Sequence, residues 1–261
     1  MKIKFYQVDA FASKLFSGNP AGVCPLDEWL PDDVMQNIAM ENNLAETSFF
    51  VKVNDNFHIR WFTPSVEVNL CGHATLASAA VLFYHEEYEG NMITFFSPRS
   101  GKLTVTKDGH MLTLDFPADK FQQVELTPEL IACFNFQPLE VYKGKTDYML
   151  VFGSEDEVRK ILPDLPSIIK IKARGIIITA AGKEVDFVSR FFAPQSGVNE
   201  DPVTGSAHTT LTPYWAQRTG KSELTAFQLS SRKGFLQCAY HRDRVKISGQ
   251  AKTYLQGEIT L

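Results

Sequence analysis

Four cysteines in 261 residues is a small number, and Cys24, Cys71, Cys133 and Cys238 are scattered with no CxxC pair and no zinc-finger Cys/His spacing. A disulfide framework is excluded, and no metal ligands are expected. The sequence also lacks a basic surplus: 26 Lys and Arg stand against 30 Asp and Glu, for a formal net charge of -4. With no Lys/Arg run longer than two residues, a nucleic-acid partner is not expected. Long apolar runs are missing as well. No stretch approaches the roughly 18 residues of a membrane span, and Gln7 and Asp9 interrupt the start where a secretory segment needs unbroken apolar sequence. A cytoplasmic protein with reduced cysteines and no membrane contact is expected. Neither G-x-G-x-x-G nor a Walker A sequence is present, so the reading calls for no nucleotide, flavin or other cofactor.

What is present is a soluble composition, 44% hydrophobic and 21% charged, and one internal repeat. Asn56-Phe57-His58-Ile59-Arg60-Trp61-Phe62-Thr63-Pro64 matches Asp186-Phe187-Val188-Ser189-Arg190-Phe191-Phe192-Ala193-Pro194 at an offset of 130. Gly72-His73-Ala74 matches Gly205-Ser206-Ala207, and Ser97-Pro98-Arg99 matches Ser230-Ser231-Arg232, both at an offset of 133. Three blocks in the same order at about half the chain length point to a duplication with a three-residue insertion between Pro194 and Gly205. Two similar halves with a cleft between them are expected.

Each half reads as an alternating strand that ends at a proline, then a loop, then a helix. The first helix, about Gly72 to Tyr84, is apolar nearly all round and therefore buried. The second, about Gly205 to Arg218, holds Pro213 as a possible kink and Gly220 as its stop. Further helices are predicted at about Pro31 to Glu41 and Ser154 to Leu162. Asp108-Gly109 suits a type I′ hairpin. The architecture is α+β, with a curled, mostly antiparallel sheet around a central helix in each half.

Chemistry concentrates at the two loop-to-helix junctions, Cys71-Gly72-His73-Ala74 and Thr204-Gly205-Ser206-Ala207. Helix N-termini leave N–H groups unpaired and carry partial positive charge, so both junctions suit a carboxylate; alternatively the two glycines only let the helix approach a strand. The repeat also isolates what differs. Glu46, placed on an isoleucine by the offset, begins the apolar run Thr47-Ser48-Phe49-Phe50-Val51, where a carboxylate is partly desolvated and suited to proton transfer, unless it is an edge residue facing water. In the second half the insertion brings Asn199-Glu200-Asp201-Pro202 before the junction. Asp201 either bonds a substrate group or caps the turn.

Asn19-Pro20-Ala21-Gly22-Val23, Asn43-Leu44-Ala45-Glu46-Thr47, Arg60-Trp61-Phe62-Thr63-Pro64, Leu70-Cys71-Gly72-His73-Ala74-Thr75-Leu76 and Asn199-Glu200-Asp201-Pro202-Val203-Thr204-Gly205-Ser206-Ala207-His208 resemble, in order and over most of the chain, the signature blocks of the PhzF-like proteins. The resemblance implies a diaminopimelate-epimerase fold of two pseudo-symmetric domains and frequent homodimerisation. It implies catalysis by Glu46, with His73 and Asp201 in the catalytic set, and substrate binding by Ala45, Gly72, Gly205 and Ser206. It also implies that the last strand returns to the first half, giving one domain of residues 1–117 with 249–261 and another of 118–248 that carries the Asp201–Ser206 loop.

The resemblance implies an isomerase that moves a proton on a small carboxylate-bearing metabolite without a cofactor. Related amino-acid epimerases use two cysteines; here Cys71 matches one, and the second junction has no thiol. Two alternatives stay open: a Cys71-dependent epimerase or racemase of amino or hydroxy acids, and a non-catalytic metabolite-binding or interaction protein. Substrate identity is not encoded in any motif.

Overall fold

Alternation of apolar and polar residues builds the first strands, and a computed structural model describes all residues, 1–261. Lys2–Ala10 (β1), Asn19–Leu26 (β2), Glu46–Val53 (β3), Asn56–Phe62 (β4), Glu67–Val68 (β5), Met92–Ser97 (β6), Gly101–Asp108 (β7) and Met111–Pro117 (β8) surround two helices, Asp32–Asn42 (α1) and Gly72–Tyr84 (α2). The chain continues through Gln122–Gln123 (β9), Pro128–Ile131 (α3), Glu140–Lys143 (β10), Tyr148–Val151 (β11), Glu155–Lys160 (α4), Leu165–Ile169 (α5), Ile176–Ala181 (β12), Phe187–Phe192 (β13), Gly205–Thr219 (α6), Glu223–Gln228 (β14), Gly234–His241 (β15) and Arg244–Gly249 (β16). It ends in Ala251–Thr260 (β17). The α+β class is as expected. Two compact units result, one of Met1–Asp115 with Ser248–Leu261 and one of Phe116–Ile247.

In the first unit the strands pair in the order β17, β1, β2, β3, β4, β6, β7, β8. The β2–β3 and β4–β6 pairs are parallel and the others antiparallel. One face of this sheet packs Cys24, Leu26, Phe49 and Val51 against Met35, Ile38 and Ala39 of α1. The other face carries α2, every residue of which from His73 to Phe83 is buried. Ala74, Ala77, Ser78, Ala79 and Ala80 of α2 are small, and such side chains let a helix come close to a strand. Ser48 Oγ lies 2.8 Å from Ser78 Oγ and donates to Gly22 O at 3.1 Å, tying α2 to β2 and β3. Gly22 is needed on the opposite face, where a Cβ would lie 2.8 Å from Thr47 Oγ1.

The second unit pairs β9, β10, β11, β12, β13, β14 and β15 in that order, with β11–β12 and β13–β14 parallel. Ile176, Ile178, Val188 and Phe192 pack with Leu130, Val158 and Ile168 of the three short helices. On the other face Trp215 of α6 stacks on Phe187 and donates to Thr179 Oγ1 at 2.9 Å. Pro213 leaves the carbonyl of Thr209 without its helical donor, and Asp119 N–H takes it at 3.1 Å, so α6 continues through the proline. Gly220, at φ 72°, ends the helix as expected.

The Arg-aromatic-Phe segments make similar contacts within their own units. Arg60 lies over Phe62 and binds both oxygens of Glu67; Arg190 lies over Phe192 and binds both oxygens of Glu200. The helices expected near Pro31 and Ser154 begin one residue later, and the latter stops at Lys160 because Ile161 turns to extended backbone. One expectation is corrected. Asp108 pairs with Met111, so the turn residues are Gly109 and His110, and only Gly109 has positive φ, a pattern of type II′ and not I′.

Candidate active site

Side chains two residues apart on a strand share a face. Glu46 therefore points the same way as Ser48, toward α2, and Asn19 points the same way as Ala21 on β2. Because β2 and β3 are parallel with Ala21 opposite Glu46, both strands open at the same end of the sheet. From Ser48 back to Glu46 is about 6.7 Å of strand; from Ser78 back to His73 is about 7.5 Å of helix. The 2.8 Å Ser48–Ser78 contact joins the same strand and helix that carry Glu46 and His73.

Glu46 Oε2 lies 3.2 Å from His73 Nε2, and the two side chains are 17% and 6% exposed. The pair is close enough for an ionic contact but lacks hydrogen-bond alignment, so the buried oxygen keeps unused acceptor capacity. Asn19 Nδ2 lies 3.2 Å from His73 Nδ1, and Cys71 Sγ lies 3.5 Å from the same nitrogen. With Asn19 donating, the neutral ring carries its proton on Nε2, toward Glu46. A charged ring carries a second proton on Nδ1, which the Cys71 sulfur accepts or, once its amide turns over, the Asn19 oxygen. Burial opposes a charge on His73, and the neighbouring Cys71 and Glu46 overcome it, so its pKa stands well above the usual histidine value. Burial, aided by the charge of Glu46 and opposed by His73, pushes the Cys71 thiol up to about 11.

Cys71 precedes α2 in extended conformation and supplies no side-chain cap. Its carbonyl accepts from Thr75 N–H and Thr75 Oγ1, so the helix starts cleanly at Gly72 while its first N–H groups keep their capacity for an anion. Ala45 immediately precedes Glu46. The structure thus brings Ala45, Glu46, Gly72 and His73 together in the first unit, along with Cys71.

The second unit holds Asp201, Gly205 and Ser206 at the start of α6. Thr204 precedes the helix, also extended and without a side-chain cap. Its hydroxyl donates to Asp201 Oδ2 at 2.5 Å, and Gln228 binds both Thr204 N–H and Asp201 O, fixing the loop. Ser206 Oγ accepts from Arg174 Nη1 at 2.8 Å, and Arg174 is itself clamped by both oxygens of Asp147. Sequence reasoning missed two polar residues here. Asn19 stood in a signature block without a role, and Arg174 gave no signal because its partners are 27 and 32 residues away.

The model of the PhzC-PhzF family, described as phenazine biosynthesis-like protein, matches residues 8–257. An uncharacterized isomerase of Pseudomonas aeruginosa is 52% identical over 262 residues, with both chains covered in full. The crystal structure of a PhzF-family phenazine biosynthesis protein of Enterococcus faecalis is 46% identical, covers all of both chains and superposes with a TM-score of 0.98. A probable proline racemase of Agrobacterium radiobacter shares the fold alone: it is 8% identical with a TM-score of 0.66, over 99% of this chain and 93% of its own. With a family match over nearly its whole length and a full-length isomerase relative, this chain belongs to the PhzC-PhzF family and is an isomerase.

Proposed function

We propose that the enzyme shifts a proton on a small carboxylate-bearing metabolite, without a cofactor, and that Glu46 carries the proton. The observation that supports this most is the buried, unbonded Glu46 Oε2 held 3.2 Å from His73 Nε2 at the uncapped start of α2. In this reading the substrate carboxylate accepts from the first-turn N–H groups at Gly72, which also stabilise charge as it develops. Glu46 takes a proton from the carbon beside the unsaturated or carboxylated centre. The electron pair moves into that centre, and Glu46 returns the proton to another carbon. His73, charged, offsets the negative charge of the anion in the intermediate.

Asp201, Gly205 and Ser206 bind substrate in the same proposal, Ser206 held in place by Arg174. The working form is taken to be a homodimer of two-domain, pseudo-symmetric protomers, which sedimentation at assay concentrations checks. A two-base epimerisation through Cys71 is the second reading. The 3.5 Å approach of its sulfur to His73 favours it, and the elevated thiol pKa and the absence of a thiol at Thr204 weigh against it.

The test is a screen of small cyclic and linear carboxylates for exchange with deuterated water. For any that exchange, Glu46→Gln is expected to lower turnover by about 10²–10⁴-fold with the fold intact. Rates near those of the parent would refute the role of Glu46.

A further inference from the structure

The same three side chains form a set of ligand atoms that the spacing in the sequence does not betray. His73 Nε2 is 3.2 Å from Glu46 Oε2 and 3.9 Å from Cys71 Sγ, and all three ligand atoms lie within 4.8 Å of one another. Tetrahedral zinc with bonds of about 2.0–2.3 Å holds its ligand atoms about 3.3–3.6 Å apart. Movements of a few tenths of an ångström to about 1 Å close that geometry. Both His73 and Cys71 are buried, and Glu46 is the partly open side from which a cation enters.

We propose that Glu46, Cys71 and His73 bind a thiophilic divalent cation, zinc(II) or cadmium(II), and that its occupation blocks the enzyme. One sulfur, one imidazole nitrogen and one carboxylate oxygen select such ions over magnesium and calcium, which take oxygen ligands. The charges balance in a buried setting, with one carboxylate and one thiolate against a cation of charge two. Each binding event forms the three metal–ligand bonds and releases to solvent the Cys71 thiol proton and, from the charged ring, the His73 proton. No electron is transferred. With the metal on Nε2, the His73 proton resides on Nδ1 and is donated to Asn19 once its amide has turned, the outer contact that steadies a metal-bound histidine. Three protein ligands leave the fourth position to water or a substrate carboxylate.

Binding follows from geometry alone, whereas the block rests on Glu46 being the proton carrier proposed above. The experiment titrates protein freed of metal by a chelator with cadmium(II), reading the ultraviolet thiolate-to-cadmium charge-transfer band. The companion titration uses zinc(II) and reads proton release. One cadmium per chain is expected, with the band lost in Cys71→Ala and Cys71→Ser. Affinity is expected to fall by more than about tenfold in His73→Gln and Glu46→Gln. Cys24→Ala should keep the band, and magnesium should neither bind nor inhibit.

Absence of the band at stoichiometric cadmium, or its persistence in both Cys71 variants, overturns the proposal. Should Cys71→Ala fold poorly, Cys71→Ser and His73→Gln carry the comparison, with circular dichroism as the check. The two readings fail separately. A Glu46→Gln enzyme without turnover, beside a parent that binds no cadmium, sinks the metal site alone; tight cadmium binding with an active Glu46→Gln sinks the proton-transfer role alone.

Discussion

The helices α2 and α6 start alike and use their histidines in opposite ways. Each is preceded by an extended residue, Cys71 or Thr204, that provides no side-chain cap. His73, in the first turn of α2, faces Glu46, and its charged form is favoured. His208, one turn into α6, donates from Nδ1 to Thr204 O at 2.9 Å, packs near Phe187, and leaves a buried Nε2 without a partner. A charged ring would bring a second N–H there with nothing to accept it, and burial accordingly depresses its pKa to about 4. One backbone device thus holds a mobile charge in the first unit and a fixed neutral group in the second. Acidic residues follow the same division: Glu46 Oε2 has no hydrogen bond, whereas Asp201 is bound by Thr204 Oγ1.

The largest effect expected from this contrast is kinetic. Where Glu46→Gln removes about 10²–10⁴-fold of turnover, Asp201→Asn should act mainly on substrate binding, raising KM with a smaller change in kcat. Cys71→Ala should retain most of the activity and all of the solvent-deuterium exchange. If Asp201→Asn lowers kcat as much as Glu46→Gln, the division of labour between the two helix starts is wrong. If Cys71→Ala alone collapses turnover, the two-base reading replaces it.

Much of this site can be read in the sequence because it depends on parity and on one unusual helix. Glu46 falls on the face of Ser48 by alternation, and the Gly72–Tyr84 segment, apolar nearly all round, reads as a buried helix. What cannot be read there is register. Asn19 meets His73 only because β2 and β3 run parallel with Ala21 opposite Glu46, a pairing between segments 25 residues apart that no local pattern records. Arg174 is hidden for the same reason. The hairpin at Gly109 shows the limit on a smaller scale: Asp-Gly marks a turn, but which two residues lie at its centre depends on the pairing of β7 with β8. The Glu46, Cys71 and His73 cluster is the strongest case, since Glu46 joins the other two only where α2 packs on β3.

The second effect is on stability against pH, and the two histidines predict opposite signs. His208 titrates near 6.5 in the unfolded chain and near 4 in the folded one. Between these values the unfolded state binds a proton that the folded state does not, so stability falls as pH drops from about 6.5 to 4. The full loss is about 3 kcal/mol. For His73 the folded value is raised, so its contribution is present below the unfolded value of 6.5 and is lost as pH climbs through the folded value. Denaturant midpoints measured from about pH 4 through the alkaline range should show a shallower acid limb in His208→Gln than in the parent, and a smaller alkaline decline in His73→Gln. An acid limb unchanged by His208→Gln would break the contrast.

The smallest effect concerns how each helix is seated. Ser78→Ala removes the 2.8 Å contact to Ser48 and the hydroxyl's bond to Ala74 O, while Ser48 keeps its bond to Gly22 O. Thr179→Val in the second unit likewise removes the acceptor of Trp215 Nε1 and the donor to Val188 O. Each substitution should cost about 1 kcal/mol, the usual net worth of such bonds, with somewhat more where Trp215 is left buried and unpaired. Similar losses of stability are therefore expected from both, and the distinction lies in activity. The Ser48–Ser78 contact ties β3, which carries Glu46, to α2, which carries His73, so Ser78→Ala should also lower kcat and shift its pH profile as the Glu46–His73 pairing loosens. Thr179→Val touches no group assigned to proton transfer, and its kcat and pH profile at temperatures below unfolding should match the parent's. Equal kinetic damage from both would mean that the seat of α2 has no special link to the proton carrier, and that the proximity of Glu46 and His73 is maintained by the rest of the first unit's core.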